Sequence, residues 1–345
     1  IREMSKNCIF INQKNIMKLF IKNILSTIIG VVISGVIIIL LFIGIIVSIS
    51  SKQEVIIKEK GILKIDLGNT AVVERTSANP LGEFNISGEL NETIELKQVL
   101  DNIEKAKKDS NIKGIYINTS FVNAGLSQTE EIRNKLLEFK ETGKPIISYS
   151  EMYSQSAYYL ASVADKIYLN PEGMIELKGL SISQLFYKGL LEKLDIDMQI
   201  IRHGKFKSAV EPYTLDKMSD ENRKQMTLLL TSISNNIMDS IANQRGLLLS
   251  QIYNHTRNIS LESAKSCLEL NYVDALLYQD QIEDSLLNLS GSKKLNLINL
   301  TKYTNVNDIV KKEISRNKIA IIYATGAIKS GKGDEIFVKA RSTTI

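Results

Sequence analysis

Charge and apolar residues segregate sharply along this chain. No charged residue occurs between Lys22 and Lys52, and residues 24–49 are almost wholly Ile, Val, Leu, Gly and Phe. A helix that crosses a hydrocarbon core needs about 20 apolar residues, whereas the apolar core of a cleaved signal peptide runs to about 7–15. No A-x-A cleavage pattern follows. The stretch 23–51 therefore predicts a single transmembrane anchor. Arg2, Lys6, Lys14, Lys18 and Lys22 outnumber Glu3 on its N-terminal side, which predicts a cytoplasmic N-terminus at 1–22 and the remaining chain outside the cytoplasm.

Beyond a polar stalk at 52–60 the pattern alternates. Residues 62–67 read as a strand, 76–91 as a Ser/Asn/Gly/Pro-rich loop, and 94–108 as a helix with Leu96, Val99, Leu100, Ile103 and Ala106 on one side. A strand at 112–118, a helix at 129–142, a stop at Gly143-Lys144-Pro145 and a strand at 146–149 follow. Strands alternating with helices of this length predict parallel βα units. Residues 150–163 read as a turn opening a helix whose tyrosines pack on the sheet, and 167–169 as a short strand closed by Asn170-Pro171-Glu172-Gly173. A helix at 183–194 and a strand at 198–202 are expected next.

Ser219-Asp220-Glu221 is a helix start, a capping hydroxyl followed by two acids. Met226, Leu229, Leu230, Ile233, Ile237 and Ile241 then recur at helical steps up to Gly246, as a core or subunit-contact stripe. Further helices are expected at 261–268 and 279–289. Residues 291–317 read as a polar linker. The stretch from Lys318 then repeats the layout of the one from Gly61: apolar strand, short Gly turn, apolar restart. This predicts a first repeat at 61–290 and the opening of a second at 318–345. Met17-Lys18 suits a start better than Ile1, so residues 1–16 are expected to be upstream read-through, which N-terminal sequencing would test.

Composition changes this picture little. The chain has 345 residues, 44% apolar, with a net charge of +5, much of it in the first 22 positions. No basic face with interleaved aromatics occurs, which argues against nucleic acid as a partner. Two cysteines, Cys8 and Cys267, fall on opposite sides of the anchor, and there are only two histidines. Neither a disulfide nor a zinc site is expected.

The stretch Gly204-Lys205-Phe206-Lys207-Ser208-Ala209-Val210-Glu211-Pro212-Tyr213 carries the candidate chemistry. It sets a lysine among small and apolar neighbours, where desolvation disfavours the charged amine and favours a general base. Lys205 is the local competitor. Glu211 would oppose the base if it lay close, so it is expected to point away. Ser208 adjoins Lys207 on an extended segment and faces the other side, which suggests a structural part. The Tyr158-Tyr159 pair reads as core packing.

Tyr153-Ser154-Gln155, Tyr158-Tyr159-Leu160-Ala161-Ser162, Lys166-Ile167-Tyr168-Leu169, Tyr187-Lys188 and Phe206-Lys207-Ser208-Ala209-Val210-Glu211-Pro212-Tyr213 together resemble the signal peptide peptidase SppA family of long tandem-repeat type. The resemblance implies a crotonase- or ClpP-like α/β fold of stacked ββα units. It implies a membrane-anchored serine endopeptidase that degrades cleaved signal peptides outside the cytoplasm, in the bacterial inner membrane, without a cofactor. It also implies a tetrameric homo-oligomer and a Ser/Lys dyad split between repeats, with Lys207 at the family's lysine. The family's nucleophile lies in a Ser-Gly-Gly segment of the second repeat, absent from residues 1–345. In the first repeat Gln155 stands in that place, between Ser154 and Ser156, so no catalytic serine is assigned. The alternatives are a catalytically inactive membrane-anchored scaffold of the same fold and, by fold analogy alone, an acyl-CoA-handling enzyme. An extracytoplasmic domain argues against the latter.

Overall fold

The structure is a computed structural model that describes residues 20, 22–41, 60–75, 92–306 and 320–323. By its contacts the chain divides into two units, Ile1–Glu54 and Val55–Ile345. In the first, α1 (Lys22–Leu41) is a 20-residue helix of mean hydropathy 2.9 with an exposed apolar surface. It is long and apolar enough to cross a membrane. Its place near the N-terminus suits an anchor or a signal sequence equally.

The second unit is an α/β domain. Its elements run β1 (Gly61–Ile65), β2 (Thr70–Val73), β3 (Glu92–Glu95), α2 (Leu96–Lys108), β4 (Ile112–Asn118), α3 (Leu126–Lys140), β5 (Ile146–Ser150), β6 (Tyr153–Ser154), α4 (Gln155–Ala161), β7 (Lys166–Leu169) and β8 (Ile175–Glu176). They continue with α5 (Lys188–Lys193), a 3-10 turn at Ser208–Val210, α6 (Glu211–Thr214), α7 (Asp220–Arg245), α8 (Leu249–Arg257), α9 (Ala264–Glu269), β9 (Ala275–Leu276), α10 (Gln279–Ser290), β10 (Leu297–Asn299) and α11 (Leu300–Tyr303). Six strands form a wholly parallel sheet in the order β10-β1-β4-β5-β7-β9. Two short parallel pairs, β2-β3 and β6-β8, stand apart from it.

Side chains on a strand alternate between faces, and here both faces are covered, as parallel sheets require. Leu63, Ile65, Ile115, Ile117 and Ile146 point into the larger core, with Val99 and Ile103 of α2, Ile132 and Leu136 of α3, and Tyr158 and Leu160 of α4. Ile62, Tyr116, Ile147 and Tyr149 point the other way, where Ile282 and Leu286 of α10 cover them. The strands expected at 112–118 and 146–149 and the helix ending at Gly246 are present. Gly246 closes α7 with φ 65°, a left-handed cap that glycine adopts without steric cost.

Several expectations need correction. Ile94 and Glu95 belong to β3, because they pair with Val72 and Val73; the helix begins only at Leu96. The helix expected at 183–194 shrinks to α5, and 198–202 is not a strand. Among the described residues no strand pairs with 198–202 to take up its backbone groups, and an unpaired strand is not stable alone. Within the stretch read as linker, Leu297 and Ile298 pair with Ile62 and Leu63 at the sheet edge, and Tyr303 is fully buried. A three-residue strand in a polar surrounding has too short a period to read. Residues 320–323 carry no regular structure; the rest of the expected second-repeat strand, the 76–91 loop and Cys8 lie outside the described residues.

Candidate functional site

The segment with the candidate lysine leaves α5 and runs without regular structure to Gly204. There φ is +99°, and the Lys207 N–H donates to the Gly204 carbonyl at 3.4 Å. The chain then tightens into the 3-10 turn and α6. Pro212 sits in the first turn of α6, where its missing N–H costs nothing. The Tyr187 N–H donates to the Pro212 carbonyl at 2.6 Å, and the Tyr187 and Tyr213 rings stack with centroids 6.0 Å apart.

Lys207 lines an open cleft of about 590 Å³ with Ile201, Arg202, His203, Phe206, Ser208 and Val210 among the walls. The apolar neighbours expected around the amine are therefore present. Burial is not: Lys207 is exposed, as is Lys205. Among the described residues no side chain pairs with the Lys207 amine, and its carbonyl accepts from Arg202 Nη1 at 3.3 Å. The physical reason is that nothing described packs over this face. Phe206 is 58% exposed and Ile201 fully so. The sequence shows apolar neighbours but not whether another surface closes over them.

Glu211 takes no part in the lining of this cleft. It is 1% exposed. Its carboxylate accepts from Ser219 Oγ at 2.6 Å, from the Ser219 N–H at 3.2 Å and from Asn222 Nδ2 at 2.8 Å. Ser219 is the N-cap of α7, its Oγ accepting from the Asn222 N–H. Burial works to raise the Glu211 pKa, but the hydrogen bonds from Ser219 and Asn222, with the charge of Arg202, outweigh it and hold it below the ordinary value. The expectation that this carboxylate is turned elsewhere fits the geometry. What the sequence concealed is its partner. The cap at Ser219 was legible, but no short-range spacing links it to a glutamate eight residues earlier.

The Tyr153-Ser154-Gln155 segment makes a second constellation. Ser154 caps α4, its Oγ accepting from the Ala157 N–H, and Gln155 Oε1 accepts from the Gly179 N–H at 2.8 Å. The backbone amide that faces the Gln155 position is thus already occupied by a side chain of the same chain. Behind it the tyrosines are core, as expected. Tyr158 donates its hydroxyl to the Tyr272 carbonyl at 2.7 Å, and Tyr153 meets Tyr158 edge-to-face at 6.0 Å. The cleft at Lys207 is lined by Ile201–His203 and Phe206–Val210 and takes no wall from 153–156, so the structure does not bring Lys207 and Gln155 into one cavity. Ser208 does not sit on the expected extended segment facing away from Lys207: it opens the 3-10 turn, its carbonyl accepts from the Glu211 N–H, and it lines the same cleft as Lys207.

Comparison with known proteins bears on both constellations. Residues 138–293 match the family described as peptidase family S49. The chain is 30% identical over 287 residues to protease 4 of Salmonella typhi, covering 79% of this chain and 46% of that protein. It is 33% identical over 247 residues to protease 4 of Haemophilus influenzae, covering 68% and 40%. With a signal peptide peptidase SppA candidate of Enterococcus faecium it shares 24% over 295 residues, 81% and 84% of the two chains. The chain thus spans less than half the length of the two protease 4 relatives.

Proposed function

With residues 138–293 belonging to peptidase family S49, we propose that this chain is part of a membrane-anchored serine endopeptidase that degrades cleaved signal peptides, and that Lys207 is its general base. One observation carries the reading. The family match includes the 204–213 segment, and that segment presents a lysine, free of any ion pair among the described residues, on an open cleft whose walls combine Ile201, Phe206, Ala209 and Val210 with Arg202 and His203. A neutral Lys207 amine would accept the proton from a serine hydroxyl as its oxygen attacks the peptide carbonyl, and return it to the leaving amine. Backbone N–H groups would hold the oxyanion. The serine belongs to a second copy of the repeat; the protease 4 relatives, about twice this chain's span, have room for one. No metal or organic cofactor enters these steps.

The exposure of Lys207 accords with a dyad divided between repeats, because the surface that would bury the amine then belongs to the other repeat. Leu185, Leu190, Leu194, Ile196, Ile201 and Phe206 are exposed in the same stretch of chain. Exposed apolar residues in such number mark an interaction surface, and we assign it to further copies of the repeat in a homo-oligomeric, tetrameric assembly. The anchor α1 would set the N-terminus in the cytoplasm and the domain outside it, at the bacterial inner membrane.

In the complete protein, Lys207→Ala should abolish cleavage of signal-peptide substrates while leaving the assembly's sedimentation unchanged. Retained cleavage would move the base elsewhere, with Lys205 the first alternative. The second reading, an inactive scaffold of the same fold, draws on Gln155, whose side chain fills the place beside the Gly179 amide. Absence of cleavage by the complete wild-type protein would favour it.

A further inference from the structure

We propose that Glu211 is the positioning residue for Lys207: its buried carboxylate locks the lysine-bearing segment onto the first turn of α7. The proposal rests on the reading of Lys207 as the general base.

The two parts of this lock have very different anchorage. The 26-residue α7 is held firmly at its C-terminal half, where Ile237, Met238, Ile241 and Ala242 are buried in the main core. Its N-terminal half is less covered, with Leu228 and Leu229 exposed, but Asn222 in the first turn is buried. The lysine segment has little anchorage of its own. Its neighbour α5 buries no residue, so the Tyr187–Pro212 bond and the Tyr187–Tyr213 stack tie one exposed piece to another. Among side-chain hydrogen bonds from residues 205–213, those that reach a regular element elsewhere in the fold are all made by Glu211, to Ser219 and Asn222.

The chemistry of the pair is specific. The start of a helix leaves backbone N–H groups without partners and carries a partial positive charge. Ser219 Oγ accepts from the Asn222 N–H and donates its own O–H to Glu211 Oε1, while Oε2 accepts from the Ser219 N–H and Asn222 Nδ2. Three donors converge on one acceptor-only, negatively charged group. A glutamine could still offer one oxygen to Ser219 N–H and Asn222 Nδ2, but its amide would turn a donor toward the Ser219 hydroxyl. From Glu211 the constraint passes back along the chain: its N–H donates to the Ser208 carbonyl, closing the turn that begins directly after Lys207. A misplacement of about 1 Å at a reacting group can cost about a hundredfold in rate, so a four-residue link to a rigid rod is a sufficient device.

Hydrogen exchange on this chain at neutral pH tests the lock directly. In Glu211→Ala the amides of residues 187, 211 and 215, which close the bonds around α6, should exchange at least about tenfold faster, with the amides of residues 115–117 in the sheet unchanged. Glu211→Gln should be intermediate, and it carries the test if the alanine variant fails to fold. In the complete protein, both variants should lower kcat with KM held, about a hundredfold for alanine and less for glutamine. Unchanged exchange in both variants overturns the lock, as does equal acceleration in the sheet. Faster exchange with an unchanged kcat overturns the positioning of Lys207. Retained cleavage in Lys207→Ala instead removes the general base, and the exchange result then stands separately.

Discussion

Single residues here divide into those whose role the sequence states and those whose role is set by what lies across from them. Lys207 is named by its neighbours, yet its exposure follows from the absence of any described surface over the cleft. Glu211 sits four positions away and has the opposite fate, buried and fully hydrogen-bonded. Gly173 is another residue decided from across the fold. A Cβ there would lie 2.2 Å from the Glu151 carbonyl oxygen and 2.8 Å from Leu169 Cδ1, and a backbone atom cannot swing aside as a side-chain end can. Gly173→Ala should therefore destabilise the domain by about 1–3 kcal/mol, the usual range for overpacking. A lowered urea midpoint at unchanged slope would show this. Asn170-Pro171-Glu172-Gly173 was legible as a turn; that its glycine is needed for a close approach to β5's exit was not.

At the scale of elements, pattern reading succeeded where a segment is long enough to show its period and failed where pairing decides. Ile112–Asn118 was legible as a short apolar run of strand length, and Asp220–Arg245 because its apolar positions recur at helical steps. The four residues of β3 carry no such signal and are strand only because β2 lies beside them. The stripe on α7 was read whole, but the fold uses its C-terminal half as core, Ile237, Met238, Ile241 and Ala242 being buried with Ile233 packed against them. The edge formed by β10 and α11 is the clearest override. Tyr303 donates its hydroxyl to Asp109 Oδ2 at 3.0 Å, and Lys105 Nζ binds the Tyr303 and Val306 carbonyls at 2.9 and 2.8 Å. Burial first, and then the charge of Asp109, push the Tyr303 phenol well above its ordinary pKa, so it remains the donor at neutral pH. Tyr303→Phe leaves the Asp109 carboxylate short of a hydrogen bond to a charged group. It should cost about 1.5–3 kcal/mol, measured as a fall in unfolding free energy with the sheet's circular dichroism retained.

At the largest scale the described residues form an apolar helix and a ClpP/crotonase-like α/β domain, and the domain's surface is uneven in a way that bears on assembly. Ile201 is fully exposed beside the Lys207 cleft, on the face we assign to further copies. Ile201→Glu should shift the detergent-solubilised complete protein toward smaller species in sedimentation, with its melting temperature unchanged, because a charge there is costly only when a partner removes it from water. Unchanged sedimentation would move the contact to another face. Some of this was decided by local order alone. A long uncharged, mostly apolar stretch, alternating βα periods, a serine cap and a glycine stop each act over a few positions, so the apolar helix, the parallel α/β class and the lysine segment follow from the sequence. The tertiary structure decided whatever joins residues far apart in the chain: which strands pair at 92–95 and 297–299, which half of α7 is core, and which hydroxyl receives Glu211. Burial and hydrogen-bond partnership belong to two surfaces at once, and one stretch of sequence specifies only one of them.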